Sequence, residues 1–338
     1  MKTLFEFERF PLSVCTQDGD LSPLEEMIPA SICEDDFGLI SFLPYVDPKK
    51  IYLSQHNSSI GPTWTEHNKR FAEYVYKVEK HAVTDIGGGS GNIYKSYLQH
   101  NTNVNWKIID LNPTLEDRNV QLIKGLYDSK YISKGETVIT SHFLEHQFDF
   151  KKFLSELRMR EPKYHIFSLP NFKYYAKNKY LATIMFEHPH YLEEDYLDHI
   201  LKITGWKILN KAYFNNHSIF YTTEPTKPTN DQQKFDCKDD IVDLIEYYKK
   251  RVEKIKHLDG FYVFGAHFTY YYLLNFGIKE IQIKAVVDND VKKQNRRMYG
   301  TNTKTISSDE LPNGAMLFLE MGPYNEEISR SLKDIVYI

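Results

Sequence analysis

The stretch Val83-Thr84-Asp85-Ile86-Gly87-Gly88-Gly89-Ser90-Gly91-Asn92 constrains this 338-residue chain more than any other. It reads as a short apolar strand, Ala82–Ile86, running through a glycine turn into a helix over 92–98. Glycine allows a backbone to turn sharply and to lie close against a ligand. The N–H groups at the start of the following helix can meet an acceptor group. A strand, turn and helix of this kind predict a nucleotide-like ligand at the carboxyl end of a first parallel strand.

The flanking pattern supports such a sheet. Phe71, Val75 and Val78 recur at helical spacing within 65–79. Short apolar runs at 106–110, 120–123, 137–140 and 165–169 alternate with helical stretches, one of them at 149–158. Strands alternating with helices predict an α/β fold with a doubly wound parallel sheet. Residues 1–60, with their prolines and acidic turns, read as a small irregular or β-rich N-terminal lobe. The polar, proline-bearing segment 224–233 reads as a linker. Beyond it come a long amphipathic helix over 239–258 and a second strand–turn–helix–strand pattern. That pattern is a strand at 261–264, Gly265-Ala266, a helix at 267–275 and a strand at 281–287 ending at Asp288. The expected division is therefore a lobe at 1–60, an α/β domain at 61–225 and a C-terminal Rossmann-like α/β domain at 236–338.

The bulk properties exclude several classes. A net charge of −4 gives no basic field for nucleic acid. No apolar run approaches the roughly 20 residues of a membrane span. The N-terminal MKTLFEFERF carries charges where a signal peptide needs an apolar core, so a cytoplasmic protein is expected. Three widely spaced cysteines, Cys15, Cys33 and Cys237, provide no disulfide framework.

The glycine spacing narrows the ligand. Asp85-x-Gly87-x-Gly89-x-Gly91 misses the dinucleotide pattern G-x-G-x-x-G by one residue. A carboxylate two residues before the first glycine suits a ligand with a cationic or amino group. S-adenosylmethionine has a sulfonium and an α-ammonium group and no pyrophosphate. Asp110, at the end of the second strand, is placed to accept both ribose hydroxyls. The bland alternative is an ordinary glycine-rich turn in an unliganded sheet.

On these residues the central region resembles the class I S-adenosylmethionine-dependent methyltransferases. The resemblance implies a cofactor across the carboxyl edge of the sheet, held by Asp85, Gly87, Gly89, Gly91, Asp110 and Leu111. Ser141 and His142, after the fourth strand, would lie near it. The run Ser141-His142-Phe143-Leu144-Glu145-His146 is similar to the Leu-Glu-His segment common in that superfamily.

Further stretches resemble the sugar C-methyltransferases of deoxysugar biosynthesis. These are His56-Asn57-Ser58-Ser59 followed by Trp64-Thr65-Glu66-His67, and Phe186-Glu187-His188-Pro189-His190-Tyr191. The C-terminal array of Gly265-Ala266, Leu273-Leu274-Asn275, Asp288 and Tyr299-Gly300-Thr301 is also similar. The resemblance implies His188 as a base that makes an enolate, with Glu187 orienting it or contacting the sugar. It further implies substrate contacts from His56, Asn57, Ser58 and His146, and a nucleotide-linked keto-deoxysugar as substrate. Two departures stand out. The family's N-terminal zinc cysteines are reduced to Cys15 and Cys33, too few for a four-ligand site, so no metal is expected. His56 stands where many members have a tyrosine, which leaves the acceptor open.

Other readings stay open at this point. The methyl group could go to oxygen or nitrogen of another surface-polysaccharide precursor. The chain could be a non-catalytic binding protein with the same fold, or an oxidoreductase using a dinucleotide. His142 and His146, four apart on an expected helical turn, could contact cofactor or substrate, share a metal, or only pack. Gly265-Ala266 and Asp288 could form a second nucleotide site, help to hold a sugar nucleotide, or serve as scaffold. Lys292, Lys293, Arg296 and Arg297 read as a solvated basic face. Oligomeric state is not legible.

Overall fold

The computed structural model describes residues 1–13, 16–51 and 61–338. Its chain forms two compact units. One comprises Asn57–Asn171 and Leu192–Gln233; the other comprises Met1–His56, Phe172–Tyr191 and Lys234–Ile338. The stretches read as N-terminal lobe and C-terminal domain thus fall in one unit.

The first of these units is a seven-stranded sheet. Its strands are β1 (Ala82–Ile86), β2 (Asn105–Asp110), β3 (Val120–Lys124), β4 (Thr137–Ser141), β5 (Tyr164–Pro170), β6 (Trp206–Phe214) and β7 (Ser218–Pro225). Their spatial order is β3-β2-β1-β4-β5-β7-β6. The first five pair in parallel, and β7 runs antiparallel between β5 and β6. This is a Rossmann-like sheet with one reversed strand. Helices α1 (Pro62–Val78), α2 (Asn92–Tyr97), α3 (Phe150–Met159) and α4 (Glu194–Thr204) belong to the same unit. Phe71 and Val75 of α1 pack with Val83, Ile93, Trp106, Ile108, Ile139 and Ile166 in one core. Val83, Ile139 and Ile166 lie on β1, β4 and β5, central strands buried on both faces, which is why these strands read as apolar runs rather than as alternating ones.

The β6–β7 hairpin is absent from the expectation above, where 224–233 began a linker. Its turn carries Asn215 and Asn216 at φ 46° and 58°, a left-handed conformation that asparagine tolerates better than most residues. The polar segment that follows starts only after Pro225.

In the other unit, Lys2–Pro11, Met27–Glu34, Ile40–Leu43 and His190–Tyr191 form an antiparallel sheet. A second sheet is wholly parallel: β8 (Phe261–Phe264), β9 (Ile283–Val287), β10 (Thr305–Ile306), β11 (Ala315–Phe318) and β12 (Ile335–Tyr337), in the order β10-β9-β8-β11-β12. Helix α5 (Lys238–Ile255) precedes it, and α6 (Phe268–Asn275) follows β8. The expected strand over 281–287 begins two residues late, because Glu280–Gln282 forms a 3-10 turn. Aromatic packing makes lobe and C-terminal sheet one body. Phe10 stacks on Phe268 at 5.5 Å and meets Phe42 and Phe186 edge-on at 5.0 and 5.8 Å. No helix among the described residues is long and apolar enough to cross a membrane.

Candidate functional site

The chain leaves β1 for β2 on one side and returns through β4 on the other. The carboxyl end of β1 is therefore the topological switch point, where open α/β sheets bind ligands. Gly87 turns there at φ 79°, and its N–H donates to the Ile109 carbonyl at 2.8 Å. A Cβ on Gly87 would lie 2.7 Å from the Phe143 ring, and one on Gly88 would lie 2.5 Å from Asp85 Oδ2. The turn is thus lined closely enough that side chains on it would collide with its own walls. Gly91 caps α2 in a left-handed conformation and has no side chain to cover the helix start.

Two carboxylates face this turn. Asp110 accepts from Gly89 N–H at 3.0 Å through Oδ2 and from Asn112 N–H at 2.7 Å through Oδ1. It is only half-buried, as is Leu111. Each oxygen keeps a lone pair beyond the one already used, so the carboxylate is fixed yet able to accept two hydroxyls. Asp85 is buried, and its Oδ2 has no hydrogen-bond partner. Burial first, and the nearby Asp110 charge second, push its pKa up to about 7, with the Trp106 indole opposing the shift.

An asparagine at position 85 should therefore stabilise the ligand-free protein at alkaline pH. The wild-type carboxyl folds neutral below pH 7 but has a pKa of 3.8 when free, so it destabilises the fold progressively as pH rises from about 4 to 7 and fully above that. Asp85→Asn should have an advantage of about 1–3 kcal/mol at pH 8 that shrinks by roughly 2–3 kcal/mol at pH 5. Thermal melts at the two pH values check this. A variant that loses stability at pH 8 would show that the carboxylate is ionised and well solvated.

After β4 the structure assembles a histidine cluster that the sequence reading found only in part. Ser141 Oγ is 3.0 Å from Ser168 Oγ. The helical turn expected to carry both His142 and His146 does not form. His142 takes φ 47°, and the 3-10 turn Leu144–His146 starts only after it. The reason is local: His142 N–H extends the sheet to the Ser168 carbonyl, while its ring is held from both ends. Nδ1 pairs with Glu145 Oε1 at 3.1 Å, and Nε2 lies 2.9 Å from Ser218 Oγ, itself 2.7 Å from His217 Nδ1. His67 and Trp64 close the group: the Trp64 ring meets His67, His142 and His217 edge-on at 5.4, 4.8 and 5.1 Å. Burial, then the charges of His142 and His217, hold the His67 pKa well below its usual range. Burial, then His142, lowers that of His217 to about 3. Within the cluster, His142 stands beside the buried Glu145 carboxylate. His217 and Ser218 were not singled out from sequence, because only the β6–β7 hairpin brings them to the end of β4. The Asn-Asn turn signal was the clue available.

In the other unit, Glu187 and His188 lie in a turn between the 3-10 segment Leu181–Thr183 and His190–Tyr191, both largely buried. His188 Nδ1 is 2.9 Å from the Thr183 carbonyl, and the Phe172 ring packs edge-on at 5.9 Å. The expected contacts His56, Asn57 and Ser58, like Cys15, lie outside the described residues.

No protein-family model matches the chain, and no curated protein matches its sequence. Solved structures do show likeness. CalO1, a methyltransferase of calicheamicin biosynthesis in its SAH-bound form, is 12% identical with a TM-score of 0.40, over 48% of this chain and 54% of its own. A S-adenosylmethionine-dependent methyltransferase from Clostridium acetobutylicum is 13% identical with a TM-score of 0.35, over 48% of this chain and 92% of its own. The mitomycin 7-O-methyltransferase MmcR is 11% identical with a TM-score of 0.37, over 47% and 54%. Likeness at this level identifies neither a reaction nor a substrate.

Proposed function

We propose that the chain is a S-adenosylmethionine-dependent methyltransferase. The observation that carries the reading is the β1 edge. A turn without side chains, an uncapped helix start, a half-exposed Asp110 and a buried Asp85 with an orphaned oxygen meet on the class I strand order. These residues fit the donor group by group. Asp110 would accept the ribose hydroxyls. Gly87, Gly89 and Gly91 leave room for the backbone to approach the nucleoside. Asp85 would compensate the positive charge of the methionine portion, which would in turn favour its ionised form. Leu111, Ser141 and His142 stand on the same edge. Bound S-adenosylmethionine would supply an electrophilic methyl group; the protein's work is positioning an acceptor and taking its proton.

For the acceptor we favour a nucleotide-linked keto-deoxysugar methylated at carbon. His188 would be the base, Glu187 its orienting neighbour, and His56, Asn57, Ser58 and His146 the substrate contacts. The support is the family resemblance, together with the way the Thr183 carbonyl fixes the His188 ring. Transfer to oxygen or nitrogen is the second reading, and the Glu145–His142 pair favours it: an imidazole oriented by a buried carboxylate can deprotonate a hydroxyl or amine.

Calorimetry tests the donor. S-adenosylhomocysteine should bind with one site per chain, NAD should not, and Asp110→Ala should weaken S-adenosylhomocysteine at least about tenfold, the scale of losing two hydrogen bonds to a charged group. Tight NAD binding with no response to S-adenosylhomocysteine would overturn the reading.

A further inference from the structure

The ring cluster at the end of β4 is joined by one continuous hydrogen-bonded chain. Glu145 Oε1 stands 3.1 Å from His142 Nδ1, and His142 Nε2 stands 2.9 Å from Ser218 Oγ. Ser218 Oγ lies in turn 2.7 Å from His217 Nδ1. Glu145 and Ser218 are fully buried, and the His142 ring is nearly so. A carboxylate only accepts, so His142 Nδ1 carries a proton. The next link is different. The Ser218 hydroxyl faces two ring nitrogens, and its one proton can go to only one of them; the other nitrogen must then be the donor.

Two arrangements satisfy every link. In the first, His142 is neutral: Ser218 O–H donates to the Nε2 lone pair, and His217 Nδ1–H donates to Ser218 Oγ. In the second, His142 holds a proton at Nε2 and donates it to Ser218 Oγ, whose own hydrogen turns to His217 Nδ1. That nitrogen must then be bare, so His217 carries its proton on Nε2 and stays neutral. Neighbouring rings do not compete for the extra proton. Burial, then His142, holds the His217 pKa at about 3, which puts its charged form at about one part in ten thousand at pH 7. His67 on α1, 5.0 Å from His142 between ring centres, is held well below its usual range by burial, then by His142 and His217. A proton taken up by the chain therefore stays on His142, beside the Glu145 carboxylate.

We propose that Ser218 is a positioning residue that couples the proton state of His142 to the tautomer of His217. Its hydroxyl points at Nε2 while His142 is a base, and turns to His217 once His142 is loaded. In the reading with transfer to oxygen or nitrogen, this prepares His142 for the acceptor. The acceptor's O–H or N–H bond breaks and Nε2–H forms; the electron pair left on the acceptor takes the methyl group as its bond to sulfur breaks. Ser218 Oγ then accepts from the new Nε2–H, so the proton is not left unpaired in a buried site. The inference rests on that reading only for the use made of the proton.

The test is nuclear magnetic resonance of the full chain with isotope-labelled histidine rings, with and without S-adenosylhomocysteine, titrated through the range in which imidazole changes charge. His142 should begin with a proton on Nδ1 alone and gain one at Nε2. At the same midpoint His217 should move its proton from Nδ1 to Nε2 without becoming charged. Ser218→Ala should leave His142 titrating and make the His217 tautomer indifferent to it; Ser218→Thr, which keeps the hydroxyl, should restore the coupling. If Ser218→Ala does not fold, the coincident wild-type midpoints still decide. A His142 ring that keeps one protonation state throughout, a His217 tautomer that ignores it, or coupling that persists in Ser218→Ala overturns the proposal. Absent coupling with S-adenosylhomocysteine bound sinks only this inference. Intact coupling with no S-adenosylhomocysteine binding sinks only the methyl-donor reading.

Discussion

His188→Gln should lower turnover of a keto-sugar acceptor by about two to four orders of magnitude, the usual contribution of a positioned general base, and leave S-adenosylhomocysteine affinity unchanged. The ring has a fixed tautomer. A carbonyl can only accept, so His188 Nδ1, 2.9 Å from the Thr183 oxygen, carries the proton. Nε2 of the neutral ring then carries the lone pair. The His188 N–H is tied to the Met185 carbonyl at 3.1 Å and the Phe172 ring packs against the imidazole, so backbone and ring are both held. In the proposed step Nε2 takes a proton from the carbon beside the ketone, and the electron pair of that C–H bond passes into an enolate, whose carbon then takes the methyl group. The proton transfer can be read without methyl transfer. With S-adenosylhomocysteine bound, the wild type should exchange that carbon-bound proton with deuterium from solvent, and the glutamine variant should not. Persistent exchange in the variant would place the base elsewhere.

What the sequence revealed and what it concealed have a common physical origin. The β1 strand, its glycine turn, α2 and the end of β2 form a local unit, so Asp85, Gly87 and Asp110 were legible from spacing alone. Asp110 meets Gly89 because a strand, a helix and a return strand fix the distance between them. The same logic exposed Gly265 and Asp288 in the second parallel sheet. The histidine cluster is of the opposite kind: His142 and Ser218 are 76 residues apart and meet only through a reversed strand inserted beside β5. Likewise His190 pairs with Ser41 across 149 residues. No local period announces that 172–191 belongs with the N-terminal lobe. The expectation of one helical face for His142 and His146 failed because sheet hydrogen bonding at Ser168 outweighed local helical tendency.

Acidification from pH 7 to 5 should destabilise the seven-stranded unit by about 4 kcal/mol net, and by about 6 kcal/mol once Asp85 is replaced by asparagine. His165, on β5, is buried, with Nε2 3.0 Å from Thr140 Oγ, and burial lowers its pKa to about 3. His217 is lowered to about 3 as well, and His67 is held well below its usual range. All three fold neutral, whereas in the unfolded chain they take up protons near pH 6.5. The unfolded state therefore binds more protons below that pH, and stability falls as pH drops through the window from 6.5 toward 3. Each ring costs roughly 2 kcal/mol at pH 5. Asp85 works in the other direction: its carboxyl folds neutral with a pKa near 7, so the same acidification relieves about 2 kcal/mol of strain that its ionised form imposes at neutral pH. Removing Asp85 therefore exposes the full histidine effect. Hydrogen exchange of the β1, β4 and β5 amides, corrected for intrinsic rates, reports the opening free energy of this unit against pH. A His165→Phe change should flatten that dependence by about a third in the Asp85→Asn background, because it deletes one of three comparable contributions and keeps aromatic packing against Phe153, Phe167 and Trp206. An unchanged slope would mean that His165 takes up its proton within the folded sheet, and that the ring is hydrated where the structure buries it.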